Sequence, residues 1–265
     1  MELPLSTAAV DRLEIVPETG STNDDLVAKA ATLDDFAVLV TGSQKAGRGR
    51  LGRVWVAPPG ASLAVSVLLR PVLPGGQPLE PQHFGWLPLI AGIAMTRAVQ
   101  SLVPAERVGL KWPNDVQVDG LKISGLLAEL VPAGDAVVMG AGLNLSLTRE
   151  QLPTPVSTSL ALAGVGLAGD ELADAALVAY LRSLRELYTG FVRLGADAVG
   201  SGVAEQLDEL CTTIGQQVKV QLPGGTDLIG TAVGIDGSGR LRVRSSQDGH
   251  VTAVAAGDVT HLRYE

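Results

Sequence analysis

Cysteine is almost missing from this chain. Cys211 is the only one among 265 residues, so no internal disulfide is possible and a reducing compartment fits. Aromatic residues make up only 3%, so the core must be packed with aliphatic side chains. Histidine is equally scarce. His83, His250 and His261 stand far apart, and their spacing suits no metal cage. The first residues, Met1-Glu2-Leu3-Pro4, lack the basic start and apolar run of a signal peptide. The longest apolar stretches, such as 87–95, fall well short of the ~20 residues that span a bilayer. The chain therefore reads as cytoplasmic, without a membrane partner. A net charge of −8 argues against general nucleic-acid binding. No G-x-S-x-G elbow and no Walker A sequence is present, and Cys211 has no histidine near it in sequence. An enzyme built from these residues works by positioning and charge rather than through a covalent intermediate.

One further absence is local. No Asp or Glu occurs between Asp35 and Glu80, although the chain is acidic overall. That window holds Lys45, Arg48, Arg50, Arg53 and Arg70. Within it, Lys45-Ala46-Gly47-Arg48-Gly49-Arg50-Leu51-Gly52-Arg53-Val54-Trp55 alternates glycine with arginine and ends on a tryptophan. Glycine allows close backbone approach, the guanidinium fork suits carboxylate and phosphate, and the indole offers a flat face. The run reads as a mobile loop that closes over an anionic small molecule. Residues 47–52 also fit the dinucleotide pattern G-x-G-x-x-G, but Val54 to Gly60, with Pro58 and Pro59, opens no helix. No acid follows at the distance a ribose would need, so the dinucleotide reading fails.

A second polar cluster, Lys111-Trp112-Pro113-Asn114-Asp115, ends a strand, and Lys122 follows in an otherwise apolar strand. Asn114 and Asp115 suit a sugar, a metal ion or the turn itself, and Lys122 also suits an edge strand facing water. Gly125 and the glycines before Asn144 mark further places where backbone can approach a ligand. Ser21-Thr22-Asn23 opens a helix running to about Ala31, where free backbone N–H groups meet acceptors, and Ser21 with Asp24 makes a capping-box pattern.

Periodicity supplies the frame. Strands are expected over 14–16, 36–40, 62–69 and 107–112, on either side of an Asp119-Gly120 hairpin, and over 135–147. A buried helix is expected over 84–102 and an amphipathic one over 170–194, with a core stripe of Leu177, Leu181, Leu184, Tyr188 and Phe191. A shorter helix follows over 204–211. Residues 150–169, rich in Pro, Ser, Thr and Gly, read as a flexible connection. From Gln216 the texture changes to short strands over 218–222, 228–235, 240–243 and 250–255, parted by Gly224-Gly225, Asp236-Gly237-Ser238-Gly239 and Asp248-Gly249. That spacing suggests a small barrel. The fold class is α+β with a mixed, largely antiparallel sheet. Two domains are expected, 1–214 and 215–265.

Taken together, Ser21-Thr22-Asn23, Gln44, the 47–55 loop, Lys111 to Asp115, Lys122-Ile123-Ser124-Gly125 and Gly140-Ala141-Gly142-Leu143-Asn144 resemble the biotin–protein ligase family, in the family's order. The resemblance covers about residues 14–147. It implies a catalytic domain like that of class II aminoacyl-tRNA synthetases and an SH3-like C-terminal domain. The implied activity joins biotin to MgATP as biotinyl-5′-AMP, releasing pyrophosphate, then passes biotin to a lysine of a biotin carboxyl carrier domain. By the family's pattern Ser21, Thr22, Asn23 and Gln44 contact the ureido ring, with Gly47 and Gly125 beside the biotin. Arg48, Gly49 and Arg50 wrap the carboxylate and phosphate. Arg48 and Lys122 are the catalytic cations, Lys122 acting between carboxyl and α-phosphate. Trp55 and Asn144 flank adenine, and Arg53, Lys111, Asn114 and Asp115 belong to the ATP side. The resemblance names no Mg2+ ligands. Two departures stand out: Leu51 where many members carry a second arginine, and Val54 where a lysine is common. About twenty residues precede Ser21, too few for the winged helix–turn–helix of bifunctional members, so no operator-DNA partner is expected. A lipoate–protein ligase and a non-catalytic biotin or nucleotide sensor are the alternative readings.

Overall fold

The computed structural model describes residues 1–104, 107–222, 226–255 and 258–261. The expected Gly224-Gly225 turn lies outside them. The chain begins with helix α1 (Pro4–Ala9), strand β1 (Leu13–Ile15), helix α2 (Thr22–Lys29) and strand β2 (Val38–Thr41). The arginine loop forms two short strands, β3 (Gly47–Arg48) and β4 (Val54–Trp55). Strand β5 (Ser62–Leu69), helix α3 (Trp86–Gln100), and strands β6 (Val108–Lys111), β7 (Asp115–Val118), β8 (Leu121–Leu130) and β9 (Val137–Asn144) follow. Helices α4 (Gly169–Arg193) and α5 (Val203–Leu210) precede strands β10 (Gln217–Gln221), β11 (Asp227–Ile235), β12 (Leu241–Ser245), β13 (Val251–Val254) and β14 (Asp258–His261).

Seven strands form the main sheet in the order β1-β2-β5-β9-β8-β7-β6. Only the β1–β2 pair is parallel, so the sheet is mixed and largely antiparallel as expected. The hairpin between β7 and β8 turns at Asp119 (φ 50°) and Gly120 (φ 78°), the two positive values a tight two-residue turn demands.

Strands β5 and β9 are buried along their whole length because both faces of the sheet are covered. Alternation divides them. Leu63, Val65, Val67, Met139, Ala141 and Leu143 join the main core, which includes α3 and the stripe of α4. Each large aliphatic side chain there contributes roughly 1.5–3 kcal/mol by leaving water. Leu68 and Val138 face the other way and pack with Leu26 of α2 in a smaller core. The same face carries Ala64, Ser66, Gly140, Gly142 and Asn144, where small residues leave room beside α2.

The C-terminal strands form a separate five-stranded antiparallel sheet in the order β13-β12-β11-β10-β14. The last strand, Asp258–His261, was not expected from the sequence. Nor was α1, whose N-terminal end is held by Asp174 of α4. That buried carboxylate accepts the backbone N–H groups of Leu5 and Ser6, each at 2.8 Å. Tryptophan ties the two sheets together. The Trp86 indole donates to the carbonyl of Gly237 at 2.9 Å and the Trp112 indole to the carbonyl of Gly239 at 3.4 Å, both in the turn between β11 and β12.

Within the 150–169 connection most residues are exposed, but its middle is packed against the sheet. Thr158 donates its backbone N–H to Lys122 and Lys122 donates to Val156, both at 2.8 Å, and Ser157 to Leu160 are buried. Ser159 Oγ also donates to the Leu147 carbonyl at 2.8 Å.

Candidate active site

On the α2 side of the sheet lies a cavity of about 430 Å³. Its lining includes Ser21, Thr22, Asn23, Gln44, Arg48, Gly49, Arg50, Arg53, Trp55, Lys111, Asn114, Asp115, Lys122, Gly125 and Asn144. Five separate sequence clusters, within 21–23, 44–55, 111–115, 122–125 and 140–144, thus meet around one space. Gly47 does not line it. A Cβ there would collide with the Gln44 amide and the Trp55 carbonyl, so its absence lets β3 and β4 pair.

At one end the groups are neutral and buried. Ser21 caps α2, its Oγ accepting the Asp24 backbone N–H at 3.4 Å. Gln44 Oε1 accepts the backbone N–H of Thr22 at 2.9 Å. Asn23 sits over Gly140, where a Cβ would strike its side-chain oxygen. Its Nδ2 donates to Glu129 at 2.6 Å and to the Leu127 carbonyl at 3.3 Å.

The remaining polar groups are charged. Arg48 sits beside the neutral cluster, on Asp24 (2.5 Å) and on Glu129 (2.8 Å), the carboxylate that also accepts from Asn23. Partial burial works against its charge, yet the two carboxylates outweigh it and raise its pKa. Asp24 therefore serves Arg48 with its side chain while its N–H serves the Ser21 cap. The acid-free window of the sequence is not acid-free in space. Arg50 donates to Asn114 Oδ1 at 3.2 Å, and Asn114 Nδ2 donates to the Leu126 carbonyl at 2.9 Å. Lys122 Nζ lies 2.6 Å from Asp115 Oδ1. It is no edge-strand lysine, because β8 is flanked there by β7 and by Ser157. Asn144 Nδ2 donates to the Thr158 carbonyl at 2.8 Å. The peptide between Trp112 and Pro113 is cis.

Trp55 roofs a floor of glycine. Its ring lies against Gly142, where a Cβ would collide with the indole, and 3.3 Å from the position of a Cβ at Gly125. Lys122 Nζ stands 5.8 Å from the ring centroid. The glycine floor gives the indole a surface to pack on without a ligand, and the loop forms a ribbon pairing Gly47 with Trp55 and Arg48 with Val54. The indole Nε1 is nonetheless buried with no hydrogen-bond partner among the described residues. At the loop tip Leu51 takes a left-handed backbone (φ 57°) and is 69% exposed.

Sequence reasoning missed Ser66, Glu129 and the 153–157 segment. Ser66 and Glu129 sit in strands and carry no motif; only the face they share with Gly140 and Gly142 reveals them. Cys211, which has no histidine near it in sequence, caps the end of α5 and is buried, and burial raises its pKa.

The cavity brings buried neutral hydrogen-bonding groups and paired cations together on a mixed sheet, an arrangement suited to a small molecule with a polar neutral head and an acidic group. Residues 15–144 match the model of the biotin/lipoate A/B protein ligase family, and residues 213–262 match the biotin protein ligase C-terminal domain. The chain belongs to the biotin protein ligase family. It is 41% identical to a biotin–[acetyl-CoA-carboxylase] ligase of Mycobacterium tuberculosis over 95% of this chain and 90% of that protein. It is 32% identical to the bifunctional ligase/repressor BirA of Escherichia coli over 93% of this chain and 73% of that protein. A solved biotin protein ligase from Aquifex aeolicus, in complex with biotin and ATP, superposes with a TM-score of 0.74 at 25% identity, covering 96% of this chain and 100% of that one.

Proposed function

We propose that this chain is an ATP-dependent biotin–protein ligase. It activates biotin as biotinyl-5′-AMP, releasing pyrophosphate, and transfers the biotin to a lysine of a biotin carboxyl carrier domain. The observation that carries this reading is the two-part lining of the cavity: Ser21, Thr22 and Gln44 form a neutral part and Arg50 and Lys122 a charged one, with Arg48 held on Asp24 and Glu129 beside the neutral part. Biotin has two matching ends, a neutral ureido ring and a carboxylate.

Each end has a physical task. A buried ureido group needs donors for its carbonyl and acceptors for its N–H groups, and hydroxyls and amides supply both. Bringing a carboxylate to the α-phosphate of ATP gathers two anions, and fixed cations there lower the barrier. Lys122 stands between the glycine floor and Asp115. We assign it to the junction, where it exchanges its carboxylate partner for the reacting oxygens. Arg48 trades Asp24 and Glu129 for the substrate in the same way. Trp55 and Asn144 take the adenine side, with Arg53, Lys111, Asn114 and Asp115 around the nucleotide and Gly49 and Gly125 giving backbone access. Magnesium enters as part of MgATP, coordinated chiefly by phosphate oxygens and water. The mixed anhydride is itself the activated acyl donor, so no enzymic nucleophile is required.

The division near residue 214 is our reading as well. It is supported by the start of the second sheet at Gln217 and by the separate family matches.

Pyrophosphate release from MgATP with biotin, with lipoate and with neither tests the reading. Release with biotin alone is expected. Release only with lipoate would replace it by the lipoate alternative. No release with either would leave a binding protein.

A further inference from the structure

Ser66 lies behind the cavity wall on β5, fully buried and outside the lining. Its Oγ is 2.6 Å from Asn23 Oδ1 and 2.8 Å from Thr22 Oγ1. The orientation of the Asn23 amide is fixed independently. Its nitrogen faces the Glu129 carboxylate and the Leu127 carbonyl, both of which only accept, so its oxygen must face Ser66. That oxygen has no proton to give, and a serine hydroxyl has one. The Ser66 proton therefore goes to Asn23, and the 2.8 Å contact with Thr22 is the Thr22 hydroxyl donating to Ser66. Gln44 Oε1 lies 3.2 Å from Thr22 Oγ1, but it is already served by the Thr22 backbone N–H at 2.9 Å. Sending the Thr22 proton to Gln44 would leave two oxygens facing each other at 2.8 Å with no proton between them.

The geometry points to Ser66 as a positioning residue that sets the hydrogen-bonding polarity of the pocket through the relay Thr22, Ser66, Asn23, Glu129. The relay commits the Thr22 proton to the protein interior, so Thr22 turns lone pairs toward the cavity. It reads N–H donors and rejects acceptors. Ser21 has the opposite polarity, since its oxygen already accepts the Asp24 N–H and its proton is left to donate. Adjacent donor and acceptor match a group with C=O beside N–H. This inference rests on the biotin reading and names how the same site selects a ureido ring over a carboxylic acid that lacks one. Asn23 is then largely consumed in holding the relay, not in touching the ligand.

The test is a double-mutant cycle on the full chain, with biotin affinity measured by calorimetry and the Michaelis constant for ATP measured alongside. Ser66→Ala is expected to weaken biotin roughly tenfold, because Thr22 regains a free proton and Asn23 loses its donor. In a Thr22→Val background the same substitution is expected to cost about threefold at most, since the acceptor it orients is gone. The Michaelis constant for ATP is expected to stay within about twofold in Ser66→Ala, well below what a lost buried hydrogen bond would produce. Ser66→Cys keeps the branching of the side chain with a larger atom and a weak donor and is expected to fall between wild type and Ser66→Ala, which covers the case in which the alanine variant fails to fold. Equal losses in both backgrounds, or wild-type biotin affinity in Ser66→Ala or Ser66→Cys, would overturn the relay while leaving the ligase reading intact. Wild-type protein that binds no biotin would overturn the ligase reading, and the relay with it.

Discussion

The two ends of the cavity are held by different physics. Ser21, Thr22, Asn23 and Ser66 are each no more than 5% exposed and hydrogen-bonded to one another or to the backbone. The Arg48 side chain is 44% exposed and the Lys122 side chain 31%, and each is paired with a carboxylate. The neutral end is complete before any ligand arrives, so binding there costs little reorganisation. The charged end must exchange partners. In low dielectric that exchange is worth most where charge develops. The buried end should therefore govern affinity and identity, and the exposed end rate and retention. Each prediction below tries to break that division.

Lys122→Ala should have the largest effect. Loss of one preorganised donor at developing charge costs roughly 3–4 kcal/mol, about 10²–10³ in rate. Pyrophosphate release should fall by that factor while calorimetric biotin affinity falls far less. Equal losses in both would merge the two ends into one.

How much of this was readable from the sequence depended on range. Alternating and three-to-four-residue patterns are local, so β5, β9, α3 and α4 were legible to within a few residues, and so were the motif residues that gather in the cavity. What depended on distant partners was not. Ser66 sits in Leu63-Ala64-Val65-Ser66-Val67 and reads as one polar residue in a buried strand; its meaning comes from α2, more than forty residues earlier in the chain. Glu129 reads only as part of the strand after the Asp119-Gly120 hairpin, yet it holds both Asn23 and Arg48. The composition of 150–168 signals a loop but cannot show that its carbonyls are taken by Lys122 and Asn144. Trp55 was assigned a role without its floor, because the closeness of Gly142 is a tertiary fact.

The glycine floor gives the next prediction. A Cβ at Gly142 collides with the Trp55 indole, so Gly142→Ala should push the ring off its seat. The Michaelis constant for ATP should rise on the order of tenfold, equivalent to about 1.4 kcal/mol. Biotin affinity should change less. A larger loss for biotin than for ATP would move the floor to the neutral end.

Arg50→Gly should act more gently, and on retention. The variant loses the hydrogen bond to Asn114 and adds a fourth glycine to a loop that already has three, so the closed form costs more entropy. Release of biotinyl-5′-AMP should quicken about fivefold, the worth of roughly 1 kcal/mol. Its formation should slow less, and biotin should appear on unrelated lysines nearby. An unchanged release rate would remove Arg50 from the retaining set.

The smallest effect should come from outside the cavity and serves as its control. Asp35 lies beyond the pocket, where its carboxylate accepts the Arg70 backbone N–H at 2.7 Å and the Tyr188 hydroxyl at 3.1 Å. Burial raises its pKa despite both hydrogen bonds. A carboxyl whose folded pKa exceeds its unfolded one stabilises the fold below the unfolded value. That contribution is lost as pH rises through the folded pKa. Asparagine keeps an oxygen to accept both bonds and carries no charge. The melting temperature of Asp35→Asn minus that of wild type should therefore be more positive at pH 7.5 than at pH 4. Pyrophosphate release at pH 7.5 should be unaltered, because nothing in the relay or the cation set touches Asp35. A melting difference that does not move with pH would mean that the carboxylate is solvated well enough for its burial not to matter. A change in activity would couple the scaffold to the cavity, and the contrast between its two ends would no longer be a property of the cavity alone.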